Sequence, residues 1–210
     1  MRSCTVHFLT CICVFITSWF ALKDSISAFH LHILLCVIGY QLLISNGINC
    51  LHGDRWFSSR LKNRRRMHWI LQTLGSILAI LGSCIMIKQK TVNFTSIHGK
   101  LALAALILTL FSIFNGVTSL CNAFRRFSFV KYSHLFCGTS AFVISSICLC
   151  FGFTKESFIR WSSEFTAYIL ILLVLVYTGI IVRKPYRNVW RFLNNKTNVK
   201  LHRNLISYSR

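Results

Sequence analysis

Six long apolar stretches alternate with short polar stretches along the chain. The hydrocarbon core of a membrane is about 30 Å thick, and about 20 apolar residues in a helix cross it. The pattern therefore predicts six transmembrane helices, at roughly 4–22, 31–50, 68–87, 99–119, 134–153 and 165–182. Pro185 follows the last stretch and is the only proline, so it is expected to end the sixth helix.

The composition supports a membrane protein. Of the 210 residues, 54% are hydrophobic and 13% are charged, whereas soluble domains carry about 25% charged residues. This excludes a soluble globular class and predicts an all-α membrane protein with short loops. We expect one domain over residues 1–210, with a core at about 25–182 and a basic tail at 183–210. Residues 1–22 could instead be a cleaved signal peptide, since Arg2 precedes an apolar stretch.

The net charge of +20 comes from 24 lysines and arginines against four acidic residues. In a soluble protein this imbalance would suggest a nucleic-acid partner, but here the positive charges follow the predicted loops. Eighteen of them lie in the loops after the second and fourth helices, in the tail or at Arg2, and six lie on the opposite face. The positive-inside rule assigns the richer face, with both termini, to the cytoplasm. Among membranes, we expect an endomembrane (endoplasmic reticulum or vesicle) rather than the plasma membrane.

The ten cysteines do not form a disulfide pattern. Eight lie inside apolar stretches, and the three loops predicted on the non-cytoplasmic face contain none, so there is no framework suited to an oxidising compartment. The sequence has no C-x-x-C and no C-x-x-C-H motif, which argues against iron–sulfur or zinc sites and against covalent haem. We interpret the cysteines as small, buried apolar residues.

Four histidines lie near the ends of four consecutive predicted helices at repeating intervals. His32 and His68 are 36 residues apart, as are His98 and His134. Because the chain crosses the membrane back and forth, alternate helices begin on the same face. The spacing therefore places His32 with His98 near the non-cytoplasmic face (pair A) and His68 with His134 near the cytoplasmic face (pair B). His30 is the alternative first member of pair A; we prefer His32 because it alone gives both pairs a 66-residue interval.

Histidines inside membrane helices are costly unless they are paired or bind a metal. Each could simply hydrogen-bond a neighbouring helix, but four at matched positions favour a shared function. The clustered H-x-x-H-H boxes of membrane di-iron enzymes are absent, and the four acidic residues lie in or near loops, which argues against zinc or di-iron carboxylate sites. Two facing imidazoles can be the axial ligands of a haem iron. An iron with both axial positions filled has no open site for oxygen, so this arrangement favours electron transfer.

Three segments around these histidines form a recognisable set: Arg66–Gln72 (Arg-Met-His-Trp-Ile-Leu-Gln), His98–Gly99, and Lys131–His134 (Lys-Tyr-Ser-His) followed by Gly138. They resemble the cytochrome b561 family of ascorbate-dependent transmembrane oxidoreductases, in particular its short six-helix animal members, the cytochrome b561 domain-containing transmembrane reductases. The resemblance covers about residues 25–182. Two segments depart from the family pattern: Leu31–Ile33 (Leu-His-Ile) replaces Trp-His-Pro, and Ser96–Lys100 (Ser-Ile-His-Gly-Lys) replaces Ser-Leu-His-Ser-Trp.

The resemblance implies a four-helix core, flanked by the first and sixth helices, that holds two non-covalent haem b groups. His32 and His98 would be the axial ligands of one haem iron, and His68 and His134 those of the other. The implied reaction oxidises cytosolic ascorbate and reduces monodehydroascorbate or ferric iron on the opposite side of the membrane. Association as a homodimer is also compatible with the resemblance.

Ascorbate is an anion at neutral pH, so positive side chains near pair B are candidates for binding it. They are Lys62, Arg65, Arg66, Arg126 and Lys131. On the other face, Lys100 follows His98 closely and is a candidate for steering an anion or a ferric chelate. The alternative interpretation is that these charges only set the membrane topology or contact lipid headgroups.

Two other functions remain open from the sequence. The chain could be a haem-bearing membrane anchor that passes electrons to a quinone or a partner protein. It could also be a non-enzymatic channel or carrier whose histidines serve packing or proton transfer, in which case a purified preparation would be colourless.

Overall fold

The computed structural model describes the backbone of residues 2–52, 61–120 and 128–208, and the side chains of 4–51, 63–120 and 129–194. The described parts are helices joined by short connections. They are α1 (Arg2–Leu22), α2 (Ala28–Cys36), a π-helical stretch (Val37–Ile44), α3 (Ser45–His52), α4 (Leu61–Gln89), α5 (Ile97–Thr118), α6 (Ser128–Phe153), α7 (Glu156–Ser162) and α8 (Glu164–Tyr208). The helix α2, the π-helical stretch and α3 follow one another without a break and form the second spanning helix.

Six of the helices in the described part of the chain are long and apolar enough to cross a membrane. They begin in α1, α2, α4, α5, α6 and α8, in the order that the apolar pattern predicts. The all-α membrane fold with six spanning helices is therefore confirmed. All nine cysteines within the described residues are free.

Two helices start well before their apolar stretches, by six or seven residues. The third spanning helix, predicted at 68–87, begins at Leu61, and the fifth, predicted at 134–153, begins at Ser128. Hydropathy marks only the part of a helix that lies in lipid, whereas lysine and arginine continue a helix readily outside it. As a result, His68 and His134 lie within their helices, about two turns from the start. Backbone hydrogen bonds of the helix therefore hold the chain both before and after each histidine.

The prediction that Pro185 ends the sixth helix is wrong. Helix α8 runs through Pro185 to Tyr208, so the predicted basic tail is helical over most of its length. A proline inside a helix costs about 3 kcal/mol because a backbone hydrogen bond is lost. Packing against α6 offsets this cost: Pro185 is fully buried, the Tyr186 hydroxyl lies 3.3 Å from Ser140 Oγ, and the Phe192 ring stacks on Tyr132 at 3.8 Å between ring centres.

The four helices that carry the histidines pack as two neighbouring pairs. The second spanning helix lies along α4, and α5 lies along α6, while α1 and α8 pack against each other and against these helices. Gly39 and Gly75 let the second spanning helix and α4 approach closely. A Cβ on Gly39 would lie 2.7 Å from the Gly75 carbonyl oxygen, and a Cβ on Gly75 would lie 2.8 Å from that of Gly39. Small residues allow such contacts between membrane helices, and here they fix the position of the second spanning helix relative to α4.

Candidate functional site: two pairs of facing histidines

The structure brings the histidines together in the two predicted pairs. In pair A the ring centres of His32 and His98 are 6.4 Å apart, and in pair B those of His68 and His134 are 6.2 Å apart. Imidazole nitrogens bind metal ions at about 2.0–2.1 Å, so two rings on opposite sides of one metal ion have centres roughly 6 Å apart. Each pair therefore has the spacing of two axial ligands on a single metal ion.

The remaining ligands of such a metal do not come from neighbouring side chains. Within the described residues, no group of three or more histidine, cysteine or acidic side chains could hold a metal ion. A zinc ion takes four ligands, and two imidazoles alone do not provide them. A porphyrin supplies four nitrogens in a plane and needs only axial ligands from the protein, so the two-histidine arrangement fits haem and not a bare metal ion.

All four imidazoles are oriented in the same way. Each Nδ1 donates to a backbone carbonyl oxygen of a neighbouring helix: His32 to Gly82 (2.9 Å), His68 to Gly47 (2.7 Å), His98 to Cys148 (2.9 Å) and His134 to Ser112 (2.9 Å). A carbonyl oxygen can only accept, so the proton is on Nδ1 and the lone pair is on Nε2. This second hydrogen bond is typical of metal-binding histidine, because it sets both the tautomer and the direction of the ring.

These hydrogen bonds repeat between the two helix pairs. His32 of α2 and His98 of α5 each donate to a carbonyl 50 residues further along the chain. In the opposite direction, His68 of α4 and His134 of α6 donate to carbonyls 21 and 22 residues earlier. Each helix pair thus orients one histidine of pair A and one of pair B. The histidine spacing indicates this repeat, but the carbonyl partners have no signature in the sequence.

Two glycines leave room beside the imidazoles. A Cβ on Gly116 would lie 3.2 Å from His134 Cε1, and a Cβ on Gly152 would lie 3.8 Å from His98 Cε1. The first distance is tighter than an ordinary van der Waals contact. A larger residue at position 116 would therefore press on the ring of His134.

A cavity of about 480 Å³ lies beside pair A. It falls within the size range of small-molecule and cofactor sites. His32 and His98 both line it, and its walls are mostly apolar. The aromatic side chains in these walls are Tyr40 and five phenylalanines, Phe20, Phe29, Phe94, Phe153 and Phe158.

Several polar residues of this cavity were not predicted from the sequence as site residues. Lys90 and Lys155 line it and bring positive charge to the side of the cavity that contains His98. The thiols of Cys36 and Cys148 also line it, with sulfur atoms 3.6 Å from His32 Nδ1 and 3.4 Å from His98 Nδ1 respectively. These two cysteines contact the imidazoles and are more than the apolar filler that the composition indicated.

His30, the alternative first member of pair A, points elsewhere. Its Nδ1 lies 3.0 Å from the Ser25 carbonyl oxygen and 3.1 Å from Ser27 Oγ, at the start of α2. It is half-buried and does not line the cavity. The geometry therefore places His32, and not His30, opposite His98.

The candidate substrate-binding residues lie on the surface where they are described. Arg65, Arg66 and Lys131 are exposed and precede the histidines of pair B by two or three residues. Arg126 and the side chain of Lys62 lie outside the described residues. Lys100 is exposed but does not line the pair A cavity.

Six membrane-length helices around two pairs of oriented imidazoles define an integral, multi-pass membrane protein with a redox-cofactor core. Residues 31–160, which include both pairs, match the family model for eukaryotic cytochrome b561. Because the match covers more than half of the chain, the protein belongs to the cytochrome b561 family. The family consists of transmembrane oxidoreductases that bind haem b and transfer electrons across a membrane. A search among curated proteins gives no significant match to the chain.

Proposed function

We propose that this protein is a di-haem transmembrane reductase that oxidises cytosolic ascorbate and reduces monodehydroascorbate or ferric iron on the other side of the membrane. The observation that carries the proposal is the geometry of pairs A and B. Both have the ring spacing of axial ligands, and all four Nδ1 atoms are engaged by backbone carbonyls, which leaves every Nε2 with a lone pair.

In this proposal, the four histidines are the axial ligands of two haem b groups. Bound haem b supplies reversible one-electron chemistry at its iron. The protein holds the imidazoles in fixed directions by means of helix backbone, which moves little, so the sites are preorganised. Because two histidines would hold each haem, its iron would have no open position for oxygen, which would favour electron transfer over oxygen activation.

The direction of electron flow rests on the distribution of charge. We propose that pair B faces the cytoplasm, together with both termini, in an endomembrane. Arg65, Arg66 and Lys131 are exposed and could attract ascorbate at this end. Lys62 and Arg126, which lie outside the described side chains, remain candidates from the sequence. Arg64 differs from them, since it donates to the carbonyl oxygens of Cys50 and Leu51 at 2.6 and 2.7 Å and so joins α4 to α3.

At the pair A end, the positive charges of Lys90 and Lys155 favour an electron acceptor that is an anion. Both line the pair A cavity, in which Glu156 is the only acidic residue among the described lining residues. Glu156 itself is paired with Arg160 at 2.5 Å, so the cavity rim is net positive. This favours monodehydroascorbate or an anionic ferric chelate over a free ferric ion, with Lys100 as a further steering charge outside the cavity.

The test is the absorbance of the purified protein. We expect a b-type spectrum, about two haems per chain and reduction by ascorbate. His68→Ala should remove one of the two haems and abolish reduction by ascorbate, because pair B loses a ligand. His30→Ala is the matched control and should retain both haems. A colourless wild-type protein, or a His68→Ala variant that keeps both haems, would contradict the proposal.

A further inference from the structure

We propose that Gln41 is a positioning residue that raises the redox potential at pair A by directing its side-chain N–H into the pair A cavity. The inference rests on the proposed function, since it requires haem between His32 and His98. The redox potential at pair A would then depend on Gln41, which is not a haem ligand, as well as on the two histidines.

Gln41 lies between the levels of the two pairs. It follows His32 by nine residues along the second spanning helix and precedes Gly47, whose carbonyl orients His68, by six. Its side chain is 1% exposed and lines the pair A cavity. A polar side chain at this depth in a membrane protein is a functional candidate by default.

The π-helical stretch places Gln41 there. Such stretches insert an extra residue into a helical turn and are frequent at functional sites. Here two consecutive residues reach different neighbours: Tyr40 Oη lies 3.0 Å from Thr109 Oγ1 of α5, while Gln41 reaches α6 and α8. Ser45 Oγ donates to the Gln41 carbonyl oxygen, and Asn46 Nδ2 donates to a carbonyl one residue later. These side chains satisfy carbonyl groups beside the distortion.

The amide of Gln41 has a fixed orientation. Its Oε1 accepts from Tyr177 Oη at 2.6 Å. Ser146 Oγ lies 3.4 Å from Oε1 but has a nearer acceptor in the Phe142 carbonyl oxygen at 2.9 Å. Tyr177 and Ser146 are fully buried, each with 0% exposure. The Tyr177 hydroxyl thus holds the oxygen end of the amide against α8, so the nitrogen end is directed away from it.

The nitrogen end has no protein partner. Among the described residues, no side chain or backbone group accepts a hydrogen bond from Gln41 Nε2. Nε2 is not among the fully buried unpartnered side-chain atoms of the described residues, so it keeps some accessible surface. A donor facing a largely apolar cavity is destabilising unless something satisfies it. Gln41 lines the cavity beside pair A. Its N–H dipole therefore acts on whatever occupies this cavity.

The sign of the effect follows from the dipole. The N–H end carries a partial positive charge, which stabilises a nearby iron centre more after it has accepted an electron than before. Polar groups around a haem are one of the means by which a protein sets its potential, and side-chain amide dipoles contribute to the local field. Gln41 should therefore make the transfer of an electron from pair B to pair A more favourable.

The experiment is a redox titration of the pair A site alone. In a His134→Ala background, only the haem at pair A should remain, so the titration has a single component. Adding Gln41→Met removes the amide while keeping a side chain of similar length and flexibility. We expect the midpoint potential to fall with the spectrum still that of a bis-histidine haem. An unchanged or higher midpoint potential would overturn the proposal.

A second variant keeps the test decisive if Gln41→Met does not retain haem. Tyr177→Phe preserves the buried ring and Gln41 itself but removes the hydroxyl that holds the amide oxygen. We expect a smaller fall in the midpoint potential. Thr178→Val is the matched control, because Thr178 adjoins Tyr177, is buried, and its hydroxyl has no partner in the described part of the chain. No shift in Tyr177→Phe, or an equal shift in Thr178→Val, would overturn the proposal.

The two proposals fail in different ways. If the wild-type protein contains no haem, both are wrong, and the titration has no signal. If the protein is coloured and reducible by ascorbate but its pair A potential does not respond to Gln41, only the role of Gln41 is wrong.

Discussion

At the scale of residues, backbone carbonyls decide how the four histidines point. Histidine can rotate about two side-chain bonds, and in a membrane its ring nitrogens seek any available partner. Here Gly82 and Gly47 present carbonyl oxygens to His32 and His68 without a side chain in the way. Such a partner cannot be recognised from sequence, because every residue has a carbonyl group. The choice of His32 over His30 likewise depends on which ring reaches across to α4.

Gly116 provides a direct test of the space around pair B. Gly116→Val should displace the ring of His134, because a Cβ at this position would already lie 3.2 Å from Cε1. We expect the haem content to fall by about half, with pair A unaffected. The measurement is the haem-to-protein ratio. Gly179→Val is the control, since a Cβ there would meet nothing within 4 Å; equal haem contents in the two variants would contradict the prediction.

At the scale of elements, tertiary contacts override two local signals. An apolar run with one proline after it predicts a helix that stops, yet α8 continues because α6 offers Ser140 and Tyr132 to residues beyond Pro185. The π-helical stretch is the second case. Hydropathy and spacing do not distinguish an α-helix from a π-helix, since both bury an apolar face; the difference comes from side chains in other helices that bind Tyr40 and Gln41.

The extension of α8 should depend on its aromatic contact. Phe192→Ala removes the stack on Tyr132, and aromatic pairs contribute about 0.5–1.5 kcal/mol. We expect amide hydrogens of residues 186–194 to exchange up to about tenfold faster, while the haem content stays unchanged. Hydrogen exchange followed by mass spectrometry measures this. Trp190→Ala is the control because Trp190 is 64% exposed; the same acceleration there would contradict a specific role for the stack.

At the scale of the whole molecule, the net charge of +20 and the two helix pairs act together. The helix pairs place one histidine pair toward each end of the bundle, and the positive charges favour anionic reactants. Electrostatic steering acts over about 10 Å at ordinary ionic strength and raises association rates for ligands of opposite charge. In the proposed function, exposed charge near pair B should therefore change how fast an anionic donor arrives much more than the potential of the site, because solvent and salt screen exposed charges.

The combined variant Arg65→Gln, Arg66→Gln and Lys131→Gln should separate these two effects. We expect reduction by ascorbate to slow by roughly threefold to tenfold at low salt and to lose most of its salt dependence. Haem content and midpoint potentials should stay the same. Stopped-flow absorbance measures the rate. Lys88→Gln, an exposed lysine at the opposite end of α4, is the control and should behave as wild type; an unchanged rate in the combined variant would exclude these residues from donor docking.

The sequence by itself determined the number of spanning helices, their order and the pairing of the histidines. The number of helices follows from the length of the apolar stretches. The pairing of the histidines follows from the alternating direction of successive crossings. Both can be derived from positions along the chain, without knowing how the helices pack. The tertiary structure alone decided which carbonyls orient the imidazoles, which lysines line the pair A cavity, and that Gln41 faces this cavity. These depend on how far each helix is rotated about its axis, and that rotation is set by the packing of all the helices together.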